Sequence, residues 1–151
     1  KGIKTLITAA NRLPRKLVII GKGSLDAEMK KLAGPNVEFA GFKQWNEIKR
    51  IVGQARFCVI PSECYENNPL SVIESQCLGT PVLGAQIGGI PELIQEGCNG
   101  LHFRSRDTDD LTAKIQAMYD APFDYPSIAL EAKKRYNSET YYKQLIQLYN
   151  L

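Results

Sequence analysis

Two short runs, Leu17-Val-Ile-Ile20 and Cys58-Val-Ile60, are apolar at every position, and each is closed at once by a glycine or a proline. A strand with one face in water alternates apolar and polar residues, whereas an unbroken apolar run of this length fits a strand covered on both faces. Between such runs lie segments with helical spacing. The pattern predicts strands over 16–20, 37–40, 57–60, 81–84 and 100–103, alternating with helices over 4–11, 25–33, 45–53, 69–78 and 91–96. Beyond the last strand the pattern is helical only, over 108–119, 126–136 and 139–148. The expected fold class is therefore α/β: a Rossmann-like parallel sheet covered by helices on both faces, with added C-terminal helices.

Sheets of this kind bind ligands at the carboxyl ends of their strands. Three glycine-bearing loops follow predicted strands there: Gly21-Lys-Gly-Ser24, Gly41-Phe-Lys43 and Gly88-Gly-Ile-Pro-Glu92. Gly21 and Gly23 lack the third glycine of a dinucleotide fingerprint, so an ordinary turn is the competing reading. Several loops on one rim carry more weight than any one of them.

The sharpest local signal is Pro61-Ser-Glu-Cys-Tyr-Glu-Asn-Asn-Pro-Leu-Ser-Val-Ile-Glu74, which sets Glu66 in a loop and Glu74 on the helix that follows. Asn68 reads as the N-cap and Pro69 as the first helical residue, with Gly79-Thr80-Pro81 ending the helix. At about 100° per residue, Leu70, Ile73, Cys77 and Leu78 share a face, and Glu74 falls between Leu70 and Leu78. A carboxylate in an apolar stripe needs donors or a cation, supplied either by the protein or by a ligand. The helix N-terminus adds free N–H groups on Leu70 and Ser71, a seat for phosphate whose dipole contributes about 0.3 to 2 kcal/mol. Pro69 has no N–H to give.

The 151 residues fit one domain, expected over 1–151. With 19 basic against 16 acidic residues, net +3, there is no nucleic-acid footprint. Lys133-Lys134-Arg135 beside Tyr136 reads as a solvated helix face, with an anionic surface as the alternative. No run in these 151 residues is long enough to span a bilayer and none reads as a signal peptide, though targeting signals could lie in an upstream part, so any membrane contact of this chain is expected to be peripheral. Cys58, Cys64, Cys77 and Cys98 form no CxxC pair and fit reduced thiols of a cytoplasmic protein. His102 is the only histidine, in a predicted strand, so neither a histidine-based catalytic group nor a histidine metal site is expected. The chain opens on Lys-Gly without an initiator methionine, and an upstream part is expected to be missing.

Lys1-Gly2 before a helix, Lys16-Leu-Val-Ile-Ile-Gly-Lys-Gly23, Val37-Glu-Phe-Ala-Gly41, Pro61-Ser62, Glu66-x7-Glu74, Gly79-Thr-Pro-Val82 and Ile87-Gly-Gly-Ile-Pro-Glu-Leu-Ile94 occur in that order. Together they resemble the nucleotide-binding C-terminal half of the glycosyltransferase group 1 family, retaining enzymes of the GT-B fold. The resemblance runs to about Phe103. It implies that Glu66 binds hydroxyls of a donor sugar and that Glu74 holds the ribose. Lys1 matches a lysine that neutralises the donor diphosphate together with an upstream arginine outside this chain. Phe42 and Lys43 match the loop that meets the nucleobase, and Asn67, Asn68, Leu70 and Ser71 match the phosphate cradle. Gly21 and Gly23 join the same nucleotide-binding set.

The chain departs from the pattern in places. Pro69 stands where family members often have glycine, which removes a backbone donor. Glu74-Ser75-Gln76 replaces the frequent Glu-Ala-Met, with no mechanistic consequence expected. Glu63 lies close to Glu66, but spacing to Glu74 favours Glu66 as the sugar ligand.

The resemblance implies a donor-binding domain that works with a nucleoside diphosphate sugar, without a metal or other cofactor, in polysaccharide or glycolipid synthesis. The acceptor, a saccharide or a lipid-linked one, would be met by an N-terminal domain absent from this chain. The setting would be cytoplasmic, up to the inner face of the membrane. The competing readings are a GT-B-like sugar nucleotide epimerase or phosphorylase and a non-catalytic parallel-sheet binding module.

Overall fold

A computed structural model describes residues 1–149; the last two residues of the unit expected over 1–151 lie outside the described part. Its elements run α1 (Ile3–Ala10), β1 (Leu17–Ile20), α2 (Asp26–Leu32), β2 (Val37–Gly41), α3 (Trp45–Gly53), β3 (Cys58–Ile60) and α4 (Leu70–Cys77). They continue with β4 (Val82–Ala85), α5 (Ile90–Leu93), β5 (Gly100–Phe103), α6 (Thr108–Asp120), α7 (Tyr125–Arg135) and α8 (Ser138–Tyr149). Every predicted strand and helix is present. The helix expected over 91–96 is shorter, because Ile94 turns extended and Glu96 bridges to Gly100.

All strand pairs are parallel, and helices cover the sheets, as the continuous apolar runs require. The expected single sheet is, however, divided. β1 pairs with β2, and β3, β4 and β5 form a separate sheet in that order. β4 is central and buried at all four residues. One of its faces packs Leu83 and Ala85 against Leu6 and Ala9 of α1 and Leu111, Ile115 and Met118 of α6, with Phe103 of β5 beside them. The other packs Val82 against Val72, Ile90, Leu93 and Ile94. Each of the larger side chains, from valine to phenylalanine, contributes about 1.5 to 3 kcal/mol on leaving water.

The sheet containing β1 has no comparable centre: every residue of β1 is only half-buried, and so is every residue of β3, an edge strand of the other sheet. A cavity of about 1100 Å³ lies between them, lined by Leu17, Ile19, Phe39, Ile48, Val59 and Leu78 among others. The continuity of Leu17–Ile20 correctly marked a strand with apolar surroundings, but the neighbour on its β3 side is a gap.

Loop chemistry fixes the helix ends. Asp107 caps α6 by accepting from the Asp110 N–H at 2.9 Å, and Asp124 caps α7 by accepting from the Ser127 N–H at 3.2 Å, with Pro126 in the first turn. The Asn36 side chain donates to the carbonyls of Ala10 at 2.9 Å and Arg15 at 2.8 Å, which seats the end of α1 beside the start of β2. Among the described residues no helix is long and apolar enough to cross a membrane, and the four cysteines are unpaired.

Candidate functional site

The loop after β3 carries the centre of the site. Pro61 and Ser62 are buried, and the chain then emerges through Glu63, Cys64 and Tyr65 to Glu66. The Lys1 ammonium donates to Glu66 Oε1, and the Ser62 hydroxyl donates to the same oxygen at 2.9 Å. The Lys1 bond and then the Ser62 bond hold the Glu66 carboxyl below its usual range, and the Glu66 bond holds the Lys1 ammonium above its own. Glu66 keeps 19% of its side chain exposed and Lys1 69%, so the pair faces solvent at the rim.

Glycines hold this loop from both sides. Gly2, at φ +70°, lies so close to Pro61 that an added β-carbon would stand 1.7 Å from its carbonyl oxygen. On the opposite side Gly89 donates its N–H to the Glu66 carbonyl at 2.7 Å, and an added β-carbon there would lie 1.9 Å from the Asn67 oxygen. No side chain fits at either contact. The Lys1-Gly2 and Gly88-Gly89 pairs are therefore part of how Glu66 is aimed.

Glu63 is committed elsewhere. Its Oε1 accepts from the Thr5 hydroxyl at 2.6 Å, and Arg106 approaches its Oε2 at 3.8 Å while donating to its carbonyl oxygen at 3.3 Å. The two glutamates thus have different partners, Thr5 and Arg106 for Glu63 and Lys1 and Ser62 for Glu66. Ser62, Thr5 and Arg106 were not picked out as site residues from the sequence. Pro61-Ser62 belonged to the motif set but carried no role, and Arg106 reaches the loop from 43 positions away, a pairing that no local pattern reports.

α4 starts one residue later than expected. Pro69 itself is the N-cap, at φ −68° and ψ 109°, its carbonyl accepting from the Val72 N–H at 3.0 Å. The expected cap, Asn68, makes no capping hydrogen bond, because proline's fixed φ serves the N-cap as well as the first turn. Leu70 and Ser71 are exposed, and their N–H groups have no intrahelical partner by geometry.

Glu74 requires a larger correction. The face of α4 turned inward carries Val72, Ser75 and Gln76, while Leu70 is 64% exposed and Glu74 is exposed. The expected apolar stripe is not the buried one, so Glu74 is no buried carboxylate in search of a partner. It lies with Ser71 and Lys43 at the border of the cavity between β1 and β3, without a hydrogen bond or ion pair among the described residues. Gln76, for which no consequence was expected, is buried and donates to the Leu93 carbonyl at 2.8 Å.

The remaining predicted residues follow β1 and β2. Gly21, at φ +125°, donates to the Gly41 carbonyl at 2.8 Å, and an added β-carbon there would meet nothing within 4 Å. The Gly23 N–H is taken by Asp26 Oδ1 at 2.8 Å, a turn that leads into α2. Phe42 is 72% exposed just past β2, and the Lys43 ammonium lies 3.2 Å from Glu47. The structure thus gathers Lys1, Glu66, Asn67, Asn68, Leu70 and Ser71 around one loop and helix start. It places Gly21, Gly23, Phe42 and Lys43 at the carboxyl ends of the other sheet. His102 lies in β5 with its Nδ1 3.3 Å from Glu96, and among the described residues no group of three potential metal ligands occurs.

A family model described as Glycosyl transferases group 1 matches residues 1–121. The chain belongs to this family. An amylovoran biosynthesis glycosyltransferase of Erwinia amylovora is 28% identical over 98% of this chain and 41% of its own length. The sulfoquinovosyl transferase of Arabidopsis thaliana is 32% identical over 78% of this chain and 24% of its own. The chain thus spans well under half of the curated relatives it matches. Among solved structures, sucrose-phosphate synthase from Thermosynechococcus elongatus superposes with a TM-score of 0.83 at 26% identity, over 99% of this chain and 42% of that one. Anabaena HepE, solved in complex with UDP, shares the fold at a TM-score of 0.85 and 21% identity, over all of this chain and 46% of that one.

Proposed function

We propose that this chain is the donor-binding half of a retaining glycosyltransferase, which moves a sugar from a nucleoside diphosphate sugar to a saccharide or lipid-linked acceptor in polysaccharide or glycolipid synthesis. The observation that carries this reading is the Lys1–Glu66 pair, fixed between two glycine contacts beside the open N-terminus of α4. Glu66 accepts from hydroxyls of the donor sugar. The diphosphate sits against the Leu70 and Ser71 N–H groups with Lys1 beside it, where helix dipole and ammonium act together. Glu74, free on the solvent side of α4, accepts from the ribose hydroxyls. Phe42 and Lys43 stand where the base is met.

As the bond from the anomeric carbon to the departing phosphate oxygen breaks, negative charge grows on the diphosphate. Fixed donors stabilise it where it forms. Lys1 and the α4 amides are assigned that role, so the reading calls for no metal or other cofactor. The acceptor belongs to the part of the protein beyond this chain, and we place the reaction in the cytoplasm, reaching the inner membrane face where the acceptor is lipid-linked. The 151-residue chain alone is expected to bind nucleotide weakly and not to turn over.

A panel of uridine, guanosine and adenosine diphosphates titrated into labelled protein tests this reading. Amide shifts at Phe42, Leu70 and Gly21 with one base identify the donor class. No response at millimolar concentration defeats the assignment, and release of free or epimerised sugar by the intact protein would move it to another reaction.

A further inference from the structure

Among the described residues, one that is not glycine takes a left-handed backbone: Arg106, at φ +66°. It lies in the turn Arg104-Ser105-Arg106-Asp107 between β5 and α6, which the Asp107 N–H closes onto the Arg104 carbonyl at 3.1 Å. Glycine supplies a positive φ at the third residue of such a turn without strain. An arginine there costs more than an exposed ion pair returns, so stability alone does not account for it.

Ser105 and Arg106 both reach the loop that carries Glu66. The Ser105 hydroxyl donates to the Ser62 carbonyl at 3.1 Å, and the Arg106 guanidinium donates to the next carbonyl, that of Glu63, at 3.3 Å. The Glu63 carboxylate is a bridge: its Oε1 accepts from Thr5 of α1 at 2.6 Å, and its Oε2 faces Arg106 at 3.8 Å. α1 and the turn before α6 are thereby tied to Ser62-Glu63 at the root of the loop. Gly89 holds the far side, at the Glu66 carbonyl. Between these anchors Cys64 and Tyr65 are exposed, so burial does not fix that stretch. Ser62 joins the root to the site directly, since its carbonyl takes the Ser105 bond while its hydroxyl donates to Glu66 Oε1.

We propose that Arg106 is a positioning residue of the reaction: together with Ser105 and Glu63 it holds the loop so that Glu66 meets the donor sugar in one orientation. It acts through Glu63 and Ser62, not by contact with the donor. The inference rests on the assignment of Glu66 to the donor sugar. Loss of the guanidinium leaves the diphosphate and ribose contacts assigned to Leu70, Ser71 and Glu74 as they were, and weakens what the sugar adds to binding.

Arg106→Gly in the intact protein tests this, because it removes the guanidinium and relieves the backbone in one change. Calorimetry compares UDP with UDP-glucose, GDP with GDP-mannose and ADP with ADP-glucose, and the pair that binds gives the sugar's share of affinity as a ratio of the two Kd values. Glu66→Ala serves as the reference. Arg106→Gly is expected to lose about 10-fold in that ratio, as Glu66→Ala does, with nucleoside diphosphate affinity unchanged. Its Tm should stay within about 3 °C of the unsubstituted protein. Arg106→Lys, which keeps the charge facing Glu63, should recover most of the loss. Glu63→Ala, which leaves the turn untouched, should reproduce it even if Arg106→Gly folds poorly. A sugar share lost in Glu66→Ala but kept in both Arg106→Gly and Glu63→Ala would overturn the proposal and leave the reading of Glu66 standing. A share unchanged in Glu66→Ala itself, or no binding by any pair, would remove that reading and the proposal with it.

Discussion

At the scale of single residues, the two glutamates separate by what holds them. Glu66 is engaged, and its carboxyl is held low first by Lys1 and then by Ser62. The contribution of this bond is complete above the ordinary glutamate value of about 4.3 and is lost as pH falls through the lowered folded value. Lys1 is raised, so its contribution is complete below the ordinary lysine value of about 10.4 and is lost as pH rises through the raised one. Stability from the pair is therefore flat across neutral pH. A carbon-detected titration should show Glu66 ionising below the free value and moving up toward it in Lys1→Met; a Glu66 that titrates normally in the unsubstituted chain would refute the pair. Glu74, by contrast, is exposed and without a partner among the described residues, so Glu74→Ala should leave stability within about 0.5 kcal/mol. The same change should weaken nucleotide binding about 10- to 100-fold, the loss of a charged hydrogen bond, as read by calorimetry. A variant that unfolds but binds normally would reverse both halves of that statement. The spacing of Glu66 to Glu74 was legible in the sequence because it is local. The exposure of Glu74 was not, because the face a helix buries is set by its neighbours.

Whole elements show the same boundary between local and non-local information. The existence and ends of α4 follow from Pro69 and Gly79-Thr80-Pro81, yet its rotation is fixed by Val72 in the core beside Ile90 and by Gln76 reaching Leu93. A polar side chain on the buried face was passed over because helical periodicity counts apolar residues and does not see a carbonyl on another helix. Replacing Gln76 with Leu leaves the Leu93 carbonyl buried without this donor and is expected to cost about 1 to 3 kcal/mol. Chemical denaturation should register it as a lower midpoint with an unchanged slope. A neutral or stabilising Gln76→Leu would mean that α4 and α5 are held by apolar packing alone. The glycine pairs are a different case: their presence in the sequence was plain, but their reason, the Pro61 and Asn67 carbonyls pressed against them, needed the fold.

Across the whole molecule, strand identity and parallel pairing were legible, whereas the division into two sheets was not, since which strand lies beside which depends on contacts between distant segments. The division has an energetic consequence. β4 is buried at every residue and packs on both faces, while β1 has no fully buried residue and neither has α3. Where burial is that uneven, a chain opens in parts. In native-state hydrogen exchange of the 151-residue chain, amides of β1 and β2 should open together at a free energy well below that of β4. Their denaturant dependence should be smaller too, because less surface is exposed in that step. The β4 amides should exchange only through global unfolding. Convergence of both sets on one free energy and one slope would mean that α1, packed against both α2 and α6, already binds the two parts into one cooperative unit.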